Sequence, residues 1–226
     1  MKKLLLSAGL LVLGPAAALA SSCLPGSLQS YFALGAAGCQ AGAVLFSNFE
    51  LAPGQSFAVP LDPAAIQVVP GGTMFNPTLA FVLDTAASSG DLFESFFRFN
   101  ATGPLSGASI GLASAAAAGD GAVTGVLDLC PNGFFAGLAP LGCTTSPTSR
   151  VVFAIEGSSL LSDSAALPGS SFFDVFVDLT IDGGLSGSAS LGSATVGLSA
   201  VPEPSTALLI GAGLVTIGAL RLRRAL

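Results

Sequence analysis

The central part of this sequence predicts an all-β fold, an antiparallel β-sandwich or jelly-roll-like body, and three observations lead there. Apolar and polar residues alternate at a period of two, turn-forming pairs recur between the alternating stretches, and no stretch carries a sustained helical stripe. In chain order, apolar stretches at residues 43–51 and 66–69 are the first strand candidates. Leu79, Phe81 and Leu83 alternate next, then Phe93, Phe97 and Phe99 around Glu94 and Arg98. Residues 113–118 are alanine-rich and have good helix propensity, but Gly111 and Gly119 bracket them, so helix, loop and strand all remain open. Residues 123–130 follow, then Val151, Phe153 and Ile155. The clearest case is Phe173, Val175, Val177, Leu179 and Ile181, interleaved with Asp174, Phe176, Asp178, Thr180 and Asp182; one face of such a strand turns inward and the other meets water. Pro53-Gly54, Pro70-Gly71-Gly72, Ser89-Gly90-Asp91, Asn132-Gly133, Pro168-Gly169 and Asp182-Gly183-Gly184 supply the expected turns. Residues 183–200 are rich in Gly, Ser, Ala and Thr. Recurring Leu and Val favour a last strand to about Leu198, and the alternative is a flexible stalk.

The two ends read differently from the body. Lys2 and Lys3 precede an apolar run at residues 4–13, then Gly14-Pro15 and Ala18-Leu19-Ala20, the layout of a helical secretory signal peptide cleaved after Ala20. A rival reading takes Ala20-Ser21-Ser22-Cys23 as a lipoprotein site with Cys23 lipidated, which would leave three cysteines in an oxidising compartment. At the other end, Val201-Pro202-Glu203-Pro204-Ser205-Thr206 leads into an apolar run at residues 207–220, closed by Arg221, Arg223 and Arg224. Pro202 and Pro204 hold the chain extended, because each fixes its own φ and pushes the preceding residue out of the helical region. Residues 205–220 carry no charge. As a helix they would rise about 24 Å, short but usable for a transmembrane span whose flanking arginines reach the headgroups. Arg221, Arg223 and Arg224 mark its cytoplasmic end, which puts everything before Pro202 outside.

Pro202-Glu203-Pro204, the apolar helix with its glycines and the terminal arginines together resemble the PEP-CTERM sorting signal of exopolysaccharide-producing Gram-negative bacteria. The resemblance covers residues 201–224. It implies that an exosortase, a membrane-embedded cysteine transpeptidase, is the processing partner, that it recognises Pro202, Glu203 and Pro204, and that it removes the helix and basic tail. It also implies a secreted or cell-surface location, transient anchoring in the inner membrane, and exopolysaccharide or biofilm matrix as the setting and a partner. The chain is thereby divided into a signal peptide at 1–20, a secreted β-sandwich domain at 21–200 and a sorting signal at 201–226.

Composition narrows what the body does. Between residues 21 and 200 the only bases are Arg98 and Arg150 against twelve acids, a net charge of −10 that the whole-chain value of −6 conceals. Nucleic acid is excluded as a natural partner, since phosphate binding needs a basic surface. Four cysteines in an exported chain favour two disulfides, and the spacings favour Cys23 with Cys39 and Cys130 with Cys143, each closing a short loop. The chain has no His and no Trp, and no Lys beyond the signal peptide. A Ser-His-Asp triad or Ser-Lys dyad therefore cannot be built, and neither a metal site nor a cofactor is expected.

Carboxylate chemistry is what remains. Asp84-Thr85-Ala86 loosely resembles the Asp-Thr-Gly loop of aspartic proteases but departs at the glycine; a carboxylate at a strand end accepting turn N–H groups explains it better. Asp174, Asp178 and Asp182 share one face of a strand, at about 13 Å spacing, too far apart for one ion unless other strands contribute, so a solvated face is expected. Asp91, Glu94, Asp120 and Asp128 are further acids that folding could gather. The reading for the body is thus a non-catalytic surface or matrix module. The alternatives are a permanently anchored surface protein and a carboxylate-dependent carbohydrate-active enzyme.

Overall fold

The computed structural model describes residues 20–52, 58–137 and 139–201. Both terminal apolar runs, the sorting residues Pro202, Glu203 and Pro204, and Arg221, Arg223 and Arg224 lie outside the described residues. Among the described residues no helix is long and apolar enough to cross a membrane.

The described chain opens with β1 (Gly26–Ser27) and α1 (Leu28–Phe32), a single turn capped by the Ser27 hydroxyl, which accepts the Ser30 N–H at 3.2 Å. Leu28 and Tyr31 are the buried side of that turn. There follow β2 (Cys39–Ala41), β3 (Val44–Leu51), β4 (Val59–Pro60), β5 (Gln67–Gly72), β6 (Pro77–Ser88), β7 (Leu92–Ala118), β8 (Ala122–Pro131), β9 (Thr148–Ile155), β10 (Ser158–Leu160), β11 (Ser162–Asp182) and β12 (Ser188–Ala200). Every pairing between them is antiparallel except that of β4 with β7.

Two long strands organise the molecule. The first half of β7 pairs with β3 on one side, and its second half, from Leu105 onward, pairs on that side with β12. β11 runs along the other side of β7 for nearly the whole length, while only its second half pairs with β8. One layer is therefore β2-β3-β7-β11-β8-β9-β10, and the other is β1-β5-β6-β12-β7-β11, with β7 and β11 passing from one to the other. The layers face each other: the rings of Phe81 on β6 and Phe97 on β7 stand 4.6 Å apart, and Gly125 on β8 lies against the side chains of Ile110 and Leu112. The passage occurs where β7 carries Gly103-Pro104 and β11 has register shifts around Ser170. Pro168-Gly169, expected as a turn, sits at this irregularity inside β11 instead. A bulge tolerates a proline that lacks a ladder N–H.

The core follows the period-two pattern. Phe173, Val175, Val177, Leu179 and Ile181 of β11 are fully buried between the layers, as are Phe97 and Phe99 of β7 and Leu127 and Leu129 of β8. Residues 113–118 are strand, the end of β7, because Ala113, Ala115, Ala116, Ala117 and Ala118 take ladder positions against β12. Residues 188–200 are a strand too and no stalk; β12 is held on both sides, by β6 and β7. The strands at the two ends of the sheet, β1 and β10, are two and three residues long. Short edges of this kind offer little ladder for unwanted pairing.

Candidate functional site

The end of β12 is where the body meets the expected processing signal. The Ala200 N–H donates to the Phe75 carbonyl at 2.7 Å and the Val201 N–H to the Pro104 carbonyl at 2.8 Å. The sheet thus grips the chain up to the residue immediately before Pro202. No spacer separates the folded body from the Pro-Glu-Pro tripeptide.

The outer face of the first layer gathers the acids singled out from sequence. Asp174 is 2% exposed, against the expectation of a solvated face. The reason is the segment between β8 and β9, which folds back over this face and covers it. The Asp174 carboxylate accepts the Phe135 N–H at 2.9 Å and the Asn100 amide at 3.2 Å, and Asn48 in turn donates to Asn100 at 2.8 Å. Arg98 ties the same region together by donating to the Glu50 carboxylate and, at 3.1 Å, to the Phe135 carbonyl. A cleft of about 280 Å³ lies among Asn48, Glu50, Arg98, Asn100, Phe134 and Asp174. Beneath the covering segment, Phe135, Phe176, Cys130 and Ala52 form a small apolar cluster of their own.

Burial raises the Asp174 carboxyl above the usual range, opposed by the Phe135 N–H and the Arg98 charge. Asp128 is raised by burial as well, against the hydrogen bond from the Ser149 hydroxyl. Asp178 is pushed up to about 7 by burial first and then by Glu94, with Asp128 a smaller contributor of the same sign. The register explains that geometry. Thr180 is opposite Glu94 and Phe176 opposite Asp128, so both acids are diagonal neighbours of Asp178 on one face. Glu94 instead lines a second, mainly apolar cleft of about 420 Å³ with Leu51, Pro60, Leu61 and Phe96, and Asp178 is not among that cleft's lining residues.

The other candidates are scattered. Asp84 does not end a strand: it is an exposed, left-handed residue (φ 46°) inside β6, at a register shift opposite Gly192. Asp91 and Asp120 belong to turns at one end of the body. The Asp120 carboxylate accepts the N–H groups of Leu185 at 2.8 Å and Ser186 at 2.9 Å, which hold it below the usual carboxylate range. Asp182 likewise accepts the Gly184 N–H at 2.8 Å. Among the described residues no three acids or cysteines are grouped so as to hold a metal ion. Cys23 is bonded to Cys39 and Cys130 to Cys143, with Cα separations of 4.8 and 5.5 Å. The sequence marks Arg98 only as one of two bases and Asn100 only as part of the tripeptide Asn100-Ala101-Thr102, and it gives Asn48 no role; what they do at Asp174 depends on strands that meet only in the folded sheet.

Among known proteins, the deciding likeness falls on the C-terminus. Residues 200–224 match the PEP-CTERM protein-sorting motif. PEP-CTERM motifs mark exported proteins of Gram-negative surfaces for exosortase processing, and the match begins at Ala200, the last residue of β12. The two disulfides suit an extracellular setting. No curated protein matches the chain. Among solved structures, TmCBM61 in complex with beta-1,4-galactotriose is similar at 12% identity and a TM-score of 0.27, over 58% of this chain and 81% of that one. The enzymatically active domain of bacteriophage CBA120 tailspike protein 4 is similar at 12% identity and a TM-score of 0.24, over 66% of this chain and 19% of that one. Neither likeness is near enough to bear on what this chain binds.

Proposed function

We propose that this protein is an exported, non-catalytic surface or matrix module, anchored transiently in the inner membrane by residues 207–220 and released from that anchor by an exosortase acting at Pro202-Glu203-Pro204. Exopolysaccharide matrix is the setting in which the released body works. One observation carries the reading: the sorting motif at residues 200–224 starts on the last strand of a disulfide-bonded β body. Nucleic acid remains excluded by the acidic balance of residues 21–200.

A carboxylate-dependent hydrolase is the competing reading, and Asp178, raised to about 7 beside Glu94, is the observation in its favour. Against it, the cleft that takes in Glu94 is lined by Asp62 as its other acid and leaves Asp178 outside, so no substrate bond is set between the pair.

Mass spectrometry of the protein from its own host tests the proposal. A mature C-terminus within or just before residues 202–205 is expected, and an intact Arg224 would establish permanent anchoring instead. Replacing Pro202, Glu203 and Pro204 together by Ala is expected to leave export intact and abolish tail removal. Normal maturation of that variant would overturn the assignment.

A further inference from the structure

The surface around the exit of the chain is uncharged and partly apolar. Four stretches meet the end of β12 there, at residues 41–43, 73–76, 102–105 and 169–171. The Ala43 N–H donates to the Met74 carbonyl at 2.7 Å, Ala200 and Val201 bond to Phe75 and Pro104, and a groove runs between Gly103, Pro104, Ser170 and Val201. No residue in these stretches is charged. Met74 is 65% exposed, Val201 46% and Phe75 36%, all three at this end.

The opposite end is acidic, although Leu185 there is 89% exposed. Its turns are tied by the Gly90 N–H to the Gly184 carbonyl at 2.7 Å and by Asp120 to the Leu185 and Ser186 N–H groups, and it carries Asp91, Asp120 and Asp182. The second half of β7, from Leu105 to Ala118, separates the two ends by roughly 40 Å at about 3.3 Å per residue. That is several Debye lengths at physiological salt.

Tether length links this asymmetry to a partner. Val201 is held in the sheet and the apolar run starts at residue 207, so five intervening residues span at most about 20 Å even fully extended. A body on so short a tether touches the bilayer with whichever face surrounds the exit. Exposed apolar side chains gain by entering the headgroup and acyl boundary, while acids are repelled by an anionic leaflet. We infer that, before processing, this uncharged end is seated on the periplasmic leaflet of the membrane, with lipid covering Met74, Phe75 and Val201 and the acidic turns pointing away. The inference rests on the reading of residues 207–220 as the anchor.

The chain has no Trp, so a single introduced Trp reports one position without background. The exported, unprocessed chain from Ser21 to Leu226 is taken from a host lacking exosortase and reconstituted in phosphatidylethanolamine and phosphatidylglycerol vesicles. It is prepared as Met74→Trp and as Leu185→Trp, the latter at an exposed residue of the acidic end. Expected in vesicles that float with the protein is a blue-shifted Met74→Trp emission that brominated phospholipid quenches, with Leu185→Trp emission unshifted and unquenched. Unquenched emission from both reporters in floated vesicles would overturn the seating while leaving the anchor intact. Quenching of both would overturn it by showing that the body lies on its side or opens on lipid. Failure of the chain to float would overturn the anchor and the seating together.

Discussion

Asp178 stands between Glu94 and Asp128 on a partly covered sheet face, and its proton is the price of that position. Its folded value of about 7, against 3.8 for an ordinary aspartate, means that the folded protein keeps a proton the unfolded chain gives up between those limits. The contribution to stability is therefore fully present below about pH 4, is lost as pH rises towards 7, and stays lost above. Asp174 and Asp128 are raised by burial and act in the same direction. Asp178→Asn keeps the shape and removes the ionisation. It is expected to raise stability at about pH 8 by about 1–2 kcal/mol, well under the full shift because water still reaches the carboxyl. The slope of stability against pH between about 4 and 7 should flatten in parallel. Urea unfolding at several pH values measures both, and an unchanged slope would assign the penalty to Asp174 or Asp128.

The segment between β8 and β9 is the element that makes this face unusual. It carries the bond from Cys130 to Cys143, the Phe135 ring on Phe176, and the Phe135 N–H and carbonyl that engage Asp174 and Arg98. A loop with 13 residues of sequence separation constrains the unfolded chain by about 3 kcal/mol in the chain-entropy account. Replacing Cys130 and Cys143 together by Ala is expected to lower stability by about that amount and to speed amide exchange across residues 132–147. A denaturation midpoint unchanged in the double variant would mean that Asp174 and Arg98 hold the segment without the covalent link. The second half of β11, residues 173–182, was legible from its period-two pattern, whereas its first half was not, because Pro168-Gly169 reads as a turn; nor was the burial of Asp174, because the path of this covering segment removes it from water. β7 was legible in pieces. Phe93, Phe97 and Phe99 mark its first part and the alanines of 113–118 leave the element open, and its continuity past Gly103-Pro104 comes from β11 alongside it, which pairs on both sides of that point.

On the scale of the whole molecule, the last of the described strands is among the innermost in space. β12 fills the position between β6 and β7, burying Leu191, Ala194, Val196 and Leu198, so the second layer cannot close until residues 188–200 are available. A chain ending at Gly187 is expected to lose cooperative unfolding altogether, whereas one ending at Val201 should keep it; thermal melts followed by circular dichroism distinguish the two. Cooperative melting of the shorter chain would show that β6 and β7 can pair without β12. The placement also couples folding to handling, because the strand that completes the body is continuous with the sorting motif at residues 200–224.

Local chemistry by itself determined the all-β character, the acidic balance and the sorting tripeptide with its apolar run, because each depends on residues adjacent in the chain or on composition. In residues 183–200 recurring Leu and Val favour a strand to about Leu198 over a stalk, and β12 is that strand, but Gly, Ser and Ala bury too little for the sequence to give its place in the sheet. Only the tertiary structure decided that this strand lies between β6 and β7, that Asn100 donates to Asp174 with the Arg98 charge nearby, and that the chain leaves through an uncharged end. Those facts depend on which strands become neighbours, and neighbours are chosen by the burial of the two layers against each other.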